Sequence, residues 1–160
     1  NSHYLRSRHA DWIIERMTSM PNEFLFGLTP DKMDLVAKSA VERAVFANDL
    51  SGGMEYLWNS PSLEGDLKLK NITEFERVMN IFTDDNVTED MDWTPEHIRH
   101  ELEFISNSMD IKIGMIMPML RLALSGGASG PQLPDVMYII GPRESKSRIN
   151  ALLDKIKELA

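Results

Sequence analysis

Residues 118–153 have the sequence PMLRLALSGGASGPQLPDVMYIIGPRESKSRINALL, in which a loop rich in Gly, Ser and Pro lies between segments with apolar residues at helical spacing. This periodicity predicts helices over about 114–124, 133–140 and 142–159. The loop, residues 125–132, lacks the Gly-Lys-Ser/Thr ending of a Walker loop, and no strand precedes it as a Rossmann turn requires. The stretch is therefore typical of helices joined by a loop whose backbone N–H and C=O groups are suited to holding a ligand.

The rest of the sequence also predicts helices and turns. Thr29-Pro30 and Thr94-Pro95 are typical helix starts, because threonine caps the free N–H groups and proline has the correct φ for the first helical position. Segments elsewhere carry apolar stripes, and the first helix is predicted over Tyr4 to Met17. The predicted stripes are Leu5, Trp12, Ile13 and Met17; Met33, Val36, Ala37, Ala40, Val41 and Ala44; Met54, Leu57 and Trp58; Phe75, Val78, Met79 and Phe82; Ile98, Leu102 and Ile105; Ile149, Leu152, Leu153, Ile156 and Leu159.

The predicted fold is all-α, with two packed helical bundles. Gly52-Gly53 disfavours a helix directly before Met54. Asp84-Asp85-Asn86 is predicted to end the helix that begins near Phe75. The segment Ser62 to Lys70 predicts a connection, which gives one subdomain over residues 1–62 and a second over residues 63–160. A chain of 160 residues is long enough to bury a core in this arrangement.

The charge of the chain is unevenly distributed. The net charge is −8, but residues 1–110 carry −11 and residues 111–160 carry +3. Such asymmetry is a hint of a polyanionic partner for the last 50 residues, although acidic helices also occur simply as a solvated surface. The absence of cysteine excludes disulfides and thiolate metal sites, and no apolar run approaches the roughly 20 residues of a membrane span.

Arg121 is a candidate binding residue. It lies among Leu120, Leu122 and Ala123, and a buried guanidinium without a partner is costly. One interpretation gives it an internal partner, either Asp135 or the carbonyls of a helix end. The other places it in the mouth of the 125–132 loop, where its planar donors meet a base edge or a phosphate.

Four sequence features together resemble the anticodon-binding end of bacterial glutamyl-tRNA synthetases. They are the order Leu120-Arg121-Leu122-Ala123-Leu124-Ser125-Gly126, the following Gly130-Pro131-x-Leu133, the pair Ile140-Gly141, and the segment Arg148-Ile149-Asn150-x-Leu152. The opening Asn1-Ser2-His3-Tyr4-Leu5-Arg6 is similar to the segment that follows the catalytic part of those enzymes. Glu42-Arg43 and Glu55-Tyr56-Leu57 also fall where the family has a charged helix and a Tyr-Leu/Phe pair.

The resemblance implies roles for particular residues of this chain. Arg121 matches the arginine that contacts the first anticodon base, Gly130 and Pro131 match the positions that meet the second base, and Leu133 matches a main-chain contact. Relatives often carry a hydroxyl residue at Gly130, and Ser129 is the expected substitute. Arg43 falls at the arginine that inspects the third base in enzymes separating glutamate from glutamine tRNAs, while its ordinary interpretation is a solvated ion-pair partner.

The resemblance also implies the context of the chain. We expect a C-terminal, non-catalytic fragment of an ATP-dependent glutamate–tRNA ligase, cytoplasmic, monomeric and without a membrane anchor. Its partners would be tRNA(Glu) and its own N-terminal catalytic domain, which would bind ATP and magnesium, so that this fragment needs no cofactor. The alternative function is a helical protein-interaction module that uses the acidic surface or the cluster Met115, Met117 and Met119.

Other candidate motifs favour structural roles. His97 and His100 share a helical face but lack the His-Glu-x-x-His pattern and a third ligand, so we expect a surface helix and no metal site. The carboxylates form no recognisable acid/base motif. The aromatic residues that are candidates for base stacking are Trp12, Tyr56, Trp58, Trp93 and Tyr138, of which only Tyr138 lies close to the loop in sequence.

Overall fold

The computed structural model describes residues 10–17, 20–43, 53–128 and 130–160. Within these ranges it contains nine α-helices, one short 3-10 helix and no strand, which confirms the predicted all-α class. The chain divides into two compact units, Asn1–Asn59 and Ser60–Ala160. The division predicted from the sequence lies after residue 62.

The first unit contains helices α1 (Ala10–Glu15), α2 (Asn22–Phe26) and α3 (Pro30–Arg43) and the 3-10 helix Glu55–Leu57. Helix α1 packs against α3. The hydroxyl oxygen of Thr29 accepts a hydrogen bond from the Lys32 N–H at 3.4 Å, as expected for the predicted cap. The sequence analysis missed α2, a single turn in which Phe26 is 84% exposed, so no apolar stripe marks it.

Most of the predicted apolar residues of this unit are buried. They are Ile13, Met17, Val36, Ala37, Ala40, Val41, Met54 and Leu57, whereas Met33 is half-buried. Two predicted stacking candidates take part in contacts of their own: the Arg16 guanidinium lies 3.8 Å from the Trp12 ring centroid, and Trp58 packs against Phe24. The predicted helix start at Tyr4, together with Leu5, Ala44 and Gly52, lies outside the described residues.

The second unit contains helices α4 (Ile72–Phe82), α5 (Asp85–Asp90), α6 (Pro95–Ser108), α7 (Ile113–Ser125), α8 (Leu133–Ile140) and α9 (Pro142–Leu159). Helix α7 packs against α4, α6, α8 and α9. Because four neighbours surround it, α7 is apolar on most sides, and its Ile116, Met119, Leu120 and Leu124 are fully buried. The surrounding helices therefore hold the end of α7 in place, and the following loop begins there.

The predicted stripes of the second unit form its core. Phe75, Val78, Met79, Ile98, Leu102, Ile149 and Leu152 are inaccessible to solvent. Leu159 is an exception, because the buried stripe of α9 ends at Ile156, one turn before the helix does, and Leu159 is 58% exposed. Trp93 is a structural residue, since its indole Nε1 donates a hydrogen bond to the Met137 carbonyl at 2.8 Å.

The predicted end of the helix before residues 84–86 is confirmed, but the helix that follows was not predicted. Helix α4 ends at Phe82, and a second helix, α5, starts at Asp85. The Asp84 carbonyl accepts the Thr88 N–H at 3.0 Å and the Thr88 hydroxyl at 3.2 Å, so it opens a new helix. Acidic residues at the start of α5 favour this outcome through the helix dipole. The second predicted cap is confirmed, because the Thr94 hydroxyl oxygen accepts the His97 N–H at 3.3 Å.

Candidate nucleic-acid interface

Arg121 lies in the last turns of α7, and its side chain is held over the loop that follows. Its Nη1 donates to the Ala128 carbonyl at 3.3 Å, and its Nη2 donates to the Pro131 carbonyl at 3.2 Å. Both of these hydrogen-bond acceptors are backbone carbonyls of the loop. The guanidinium therefore lies in the mouth of the loop, and loop carbonyls orient it.

The turn after Arg121 requires glycine at its first position. Gly126 has φ +68°, in the left-handed region, and its N–H donates to the Leu122 carbonyl at 3.0 Å. A Cβ at this position would lie 3.1 Å from Cβ of Pro61, which leaves little room for a side chain. The Ser125 hydroxyl donates to the Arg121 carbonyl at 2.9 Å, so side-chain and backbone groups both fasten the turn.

Arg121 lines a cavity of about 730 Å³, which we name the Arg121 cavity. Its other lining residues are Arg99, Leu102, Glu103, Ile113, Gly114, Met117, Pro118, Gln132, Leu133 and Pro134. The volume lies in the range of roughly 300–1,000 Å³ that is common for small-ligand pockets. The walls are largely apolar, and the polar lining groups are the guanidinium groups of Arg99 and Arg121, the Gln132 amide and the Glu103 carboxylate. Such a lining is suited to a flat heterocycle that carries hydrogen-bond acceptors and donors.

A second cavity of about 550 Å³ borders the glycine turn, and we name it the glycine-turn cavity. It is lined by Ser62, Glu64, Asp66, Leu67, Lys68, Pro118, Arg121, Leu122, Gly126 and Gly127. Arg121 thus lines both cavities. Arg121 is therefore a cation shared by the largely apolar Arg121 cavity and by the glycine-turn cavity, whose lining includes the charged residues Glu64, Asp66 and Lys68.

Arg99 and Gln132 form a pair that the sequence analysis did not single out. Arg99 Nη2 donates to the side-chain oxygen of Gln132, and both residues line the Arg121 cavity. With its oxygen engaged, the Gln132 amide has N–H donors left for other groups. The two residues are 33 positions apart in sequence, so no local pattern marks the pair.

The other predicted site residues of the second unit lie around the same loop. Gly130 is exposed, and the carbonyl of Pro131 is the acceptor of Arg121 Nη2. The side chain of Leu133 is buried, but Leu133 is also the first residue of α8, where a backbone N–H has no acceptor within the helix. The loop therefore brings Arg121, Pro131 and Leu133 together, while Ser129, the expected hydroxyl substitute, lies outside the described residues.

Arg43 belongs to the first unit. It is the last residue of α3 and is exposed, and its guanidinium lies beside Gly53. A side chain at Gly53 would collide with this guanidinium, and Gly53 has φ +74° besides. Glycine at position 53 therefore leaves the space that the guanidinium occupies.

Arg148 is buried, although the sequence analysis placed it away from the apolar stripe of α9. Its side chain is about 2% exposed. Its Nε donates to Glu144 Oε1 at 2.9 Å, and its Nη1 donates to the Leu124 carbonyl at 2.7 Å. A signal for this burial exists in the sequence: the stripe of α9, continued back by one turn from Ile149 and Leu152, reaches Ser145 and Arg148.

Glu144 links this arginine to the start of the second unit. Its Oε1 also accepts the Ser60 hydroxyl at 2.7 Å. The pKa of Glu144 is lowered from its ordinary value, first by the hydrogen bond from Arg148 and then by the one from Ser60, while burial acts in the opposite direction. The ionised carboxylate is therefore the form that the fold stabilises.

We expect the Glu144→Gln variant to be less stable than the wild type at neutral pH, and the difference to shrink as the pH falls. Because the folded-state pKa of Glu144 is depressed, its stabilisation is present above its ordinary pKa and is lost as the pH falls through the folded value. Urea unfolding between pH 7 and pH 3 measures this, with Glu64→Gln at an exposed glutamate outside the helices as the control. A gap that stays constant over this range would contradict the assigned role of the carboxylate.

The histidines of α6 take part in other contacts. His97 Nδ1 lies 2.9 Å from Asp92 Oδ2, and the His100 ring stacks on Phe104. In residues 10–17, 20–43, 53–128 and 130–160, no three His, Asp or Glu side chains come together as a metal site would require. Over the same ranges, no helix combines the length and apolar character needed to cross a membrane.

The chain is similar to known proteins over nearly its whole length. Residues 11–153 match the anticodon binding domain family. The chain is 25% identical over 160 residues to the glutamate–tRNA ligase of Cytophaga hutchinsonii, covering 99% of this chain and 31% of that protein. It is 27% identical over 156 residues to glutamate–tRNA ligase 2 of Nitratiruptor sp., covering 96% of this chain and 33% of that protein.

Solved structures give the same result for the fold. The glutamate tRNA ligase from Elizabethkingia meningosepticum, in complex with its amino acid, matches 96% of this chain and 31% of its own, with a TM-score of 0.77 and 24% identity. The glutamate-tRNA synthetase from Elizabethkingia anophelis matches 96% and 30%, with a TM-score of 0.73 and 25% identity. The chain thus spans about a third of the length of the curated relatives it matches. The helical architecture and the match over residues 11–153 together show that this chain belongs to the anticodon binding domain family.

Proposed function

We propose that this chain binds the anticodon end of a tRNA and that an unstacked base enters the Arg121 cavity. The observation that carries the proposal is the Arg121 guanidinium, which two loop carbonyls hold at the wall of a cavity of about 730 Å³ in a member of this family. Sequence-specific RNA recognition commonly uses such sites, where a splayed base meets hydrogen-bond donors on its edge and apolar or planar groups on its faces.

The donor inventory of Arg121 supports this role. A guanidinium has five N–H donors, and the loop carbonyls of Ala128 and Pro131 use two of them. The remaining donors are suited to the carbonyl oxygens and ring nitrogens of a base edge. The start of α8 adds the backbone N–H of Leu133, which has no acceptor within the helix, and the positive end of a helix dipole, which also favour an acceptor or an anion.

The remaining site residues receive their roles from the resemblance described above. Arg121 contacts the first anticodon base, Gly130 and Pro131 contact the second base, and the main chain of Leu133 completes that subsite. Arg43 inspects the third base, which would make this chain part of an enzyme that separates glutamate from glutamine tRNAs. Its exposure at the end of α3 is compatible with such a contact.

The whole protein would be an ATP-dependent glutamate–tRNA ligase. The relatives carry that name, and the chain matches about a third of their length. In this proposal tRNA(Glu) is the RNA partner, and a catalytic domain outside this chain binds ATP and magnesium and activates glutamate. This chain then selects the tRNA and does not catalyse. The enzyme acts in the cytoplasm as a monomer.

A titration of the chain with tRNA(Glu) at several salt concentrations tests the proposal. The net charge of −8 means that RNA must be bound through local cations, and affinity should fall as salt rises because each phosphate contact releases counterions. A tRNA that shares the fold but has a different anticodon serves as the control. If the folded chain binds no tRNA even at low salt, the proposal fails and the helical protein-interaction module becomes the better explanation.

A further inference from the structure

Two arginines form hydrogen bonds around the end of α7. Arg121 projects from α7 over the loop and donates to the Ala128 and Pro131 carbonyls. Arg148 reaches the same helix end from α9 and donates to the Leu124 carbonyl at 2.7 Å. The last carbonyls of a helix lack N–H donors within the helix, so a buried guanidinium at this place satisfies one of them. A cation at the C-terminal end also interacts favourably with the helix dipole.

Arg148 also has a hydrogen-bond partner on its own helix, α9. Its Nε donates to Glu144 Oε1 at 2.9 Å, and the same oxygen accepts the Ser60 hydroxyl at 2.7 Å. The next residue, Pro61, packs close to Gly126. The ion pair between Arg148 and Glu144 therefore connects three parts of the second unit: segment 60–61, the turn after α7 and the first turns of α9. We name this group of contacts the Ser60–Glu144–Arg148 clasp.

The burial of Arg148 makes its contacts a strong constraint, although Glu144 and Ser60 are partly or largely accessible to solvent. The Arg148 side chain is about 2% exposed, and its ion-pair partner Glu144 is 41% exposed. A buried guanidinium that loses its acceptors is left without compensation, which costs more than loss of an ion pair between two exposed side chains. Leu124 lies three residues after Arg121 on the same helix, so a shift of its carbonyl moves the turn against which Arg121 is oriented.

We infer that Arg148 is a positioning residue for RNA recognition: through the Ser60–Glu144–Arg148 clasp it holds the end of α7, and thereby the direction in which Arg121 enters its cavity. The expected effect of Arg148 on RNA binding rests on the proposed function. Its expected effect on the geometry of the Gly126 turn does not. Arg148 contacts no RNA in this account, because its guanidinium is enclosed by protein.

The test uses the variant Arg148→Met in the full 160-residue chain. The matched control is Ile156→Ala, which removes buried volume two turns further along α9 and forms no part of the clasp. Both are measured at a temperature where circular dichroism shows the helices intact. We expect Arg148→Met to weaken tRNA binding about tenfold, whereas Ile156→Ala should change it less than about twofold.

A double-mutant cycle separates positioning from a general loss of fold. If Arg148 acts through Arg121, adding Arg148→Met to Arg121→Ala should cost less than about a further twofold in affinity. A full tenfold loss in the Arg121→Ala background would overturn the inference, and so would a single Arg148→Met variant that binds tRNA like the wild type. If Arg148→Met does not fold, Arg148→Lys takes its place, since an ammonium retains the charge but cannot span both acceptors in the planar geometry.

Nuclear magnetic resonance decides the matter independently of RNA. The amide signals of Gly126 and Gly127 and the Nε–H signal of Arg121 should shift in Arg148→Lys but not in Ile156→Ala. Unshifted signals in Arg148→Lys would overturn the inference. If the wild-type chain binds no tRNA while these signals shift as expected, the proposed function fails and the positioning role of Arg148 stands.

Discussion

Replacing Arg121 by alanine is expected to weaken binding of tRNA(Glu) by roughly ten- to a hundredfold, the effect of losing about 1.5–3 kcal/mol of hydrogen bonding to a charged group. The reason is the donor set of this side chain: two N–H groups hold the loop carbonyls of Ala128 and Pro131, three more remain, and Arg121 lines the proposed cavity. The lost affinity should come from the contact with one anticodon base, because other residues form the subsites for the other two bases. Equilibrium titration by fluorescence anisotropy measures it.

The matched control is Arg77→Ala. Arg77 is an exposed arginine of α4 in the same unit, so the control removes the same charge from the surface. Arg77→Ala should change the affinity less than about twofold, since a single exposed charge contributes little. Equal losses for Arg77→Ala and Arg121→Ala would mean that only net charge matters, and the proposed role of the cavity would fail. Circular dichroism of both variants should match the wild type.

Replacing Phe75 by alanine is expected to lower the free energy of unfolding by about 3–5 kcal/mol. Phe75 is inaccessible to solvent and lies on α4, which packs against α6 and α7, the helices that carry Arg99 and Arg121. The vacated volume removes packing from both of these helices. RNA affinity should therefore fall together with stability. Urea unfolding monitored by circular dichroism gives the stability difference.

Phe104→Ala is the matched control for this core substitution. Phe104 is 62% exposed on α6, so its truncation leaves no cavity. We expect a change within about 0.5 kcal/mol, the ordinary range for a surface substitution. A Phe75→Ala variant that is as stable as Phe104→Ala would show that α4 is not packed as described.

The sequence predicts the helices of the second unit well where local signals agree. The bounds of α8 and α9 match their predicted ranges, because glycine and proline punctuate them and their stripes have clear helical period. Helix α5 was not predicted: Asp84-Asp85-Asn86 correctly marks the end of α4, but the Asp84 carbonyl accepts hydrogen bonds from Thr88 and so begins a new helix. Local composition does not distinguish these outcomes.

The predicted site is incomplete for a different reason. The 125–132 loop and Arg121 are visible in the sequence because glycine, proline and a charged residue interrupt apolar helices. The long-range contacts of the clasp are not visible in the sequence, because Leu124 lies 24 residues from Arg148 and Ser60 lies 84 residues from Glu144. Arg148 looks like a surface arginine until its helix is packed, and only then does the carbonyl at the end of α7 become its acceptor.

The most direct test of the account compares two tRNAs that differ only in the anticodon. The dissociation constant of the chain is measured for tRNA(Glu) and for the same transcript with its three anticodon bases replaced, at one salt concentration. The account predicts at least about tenfold weaker binding of the altered transcript, and a difference at the first base that Arg121→Ala abolishes. Equal dissociation constants for the two transcripts with the wild-type chain would contradict it.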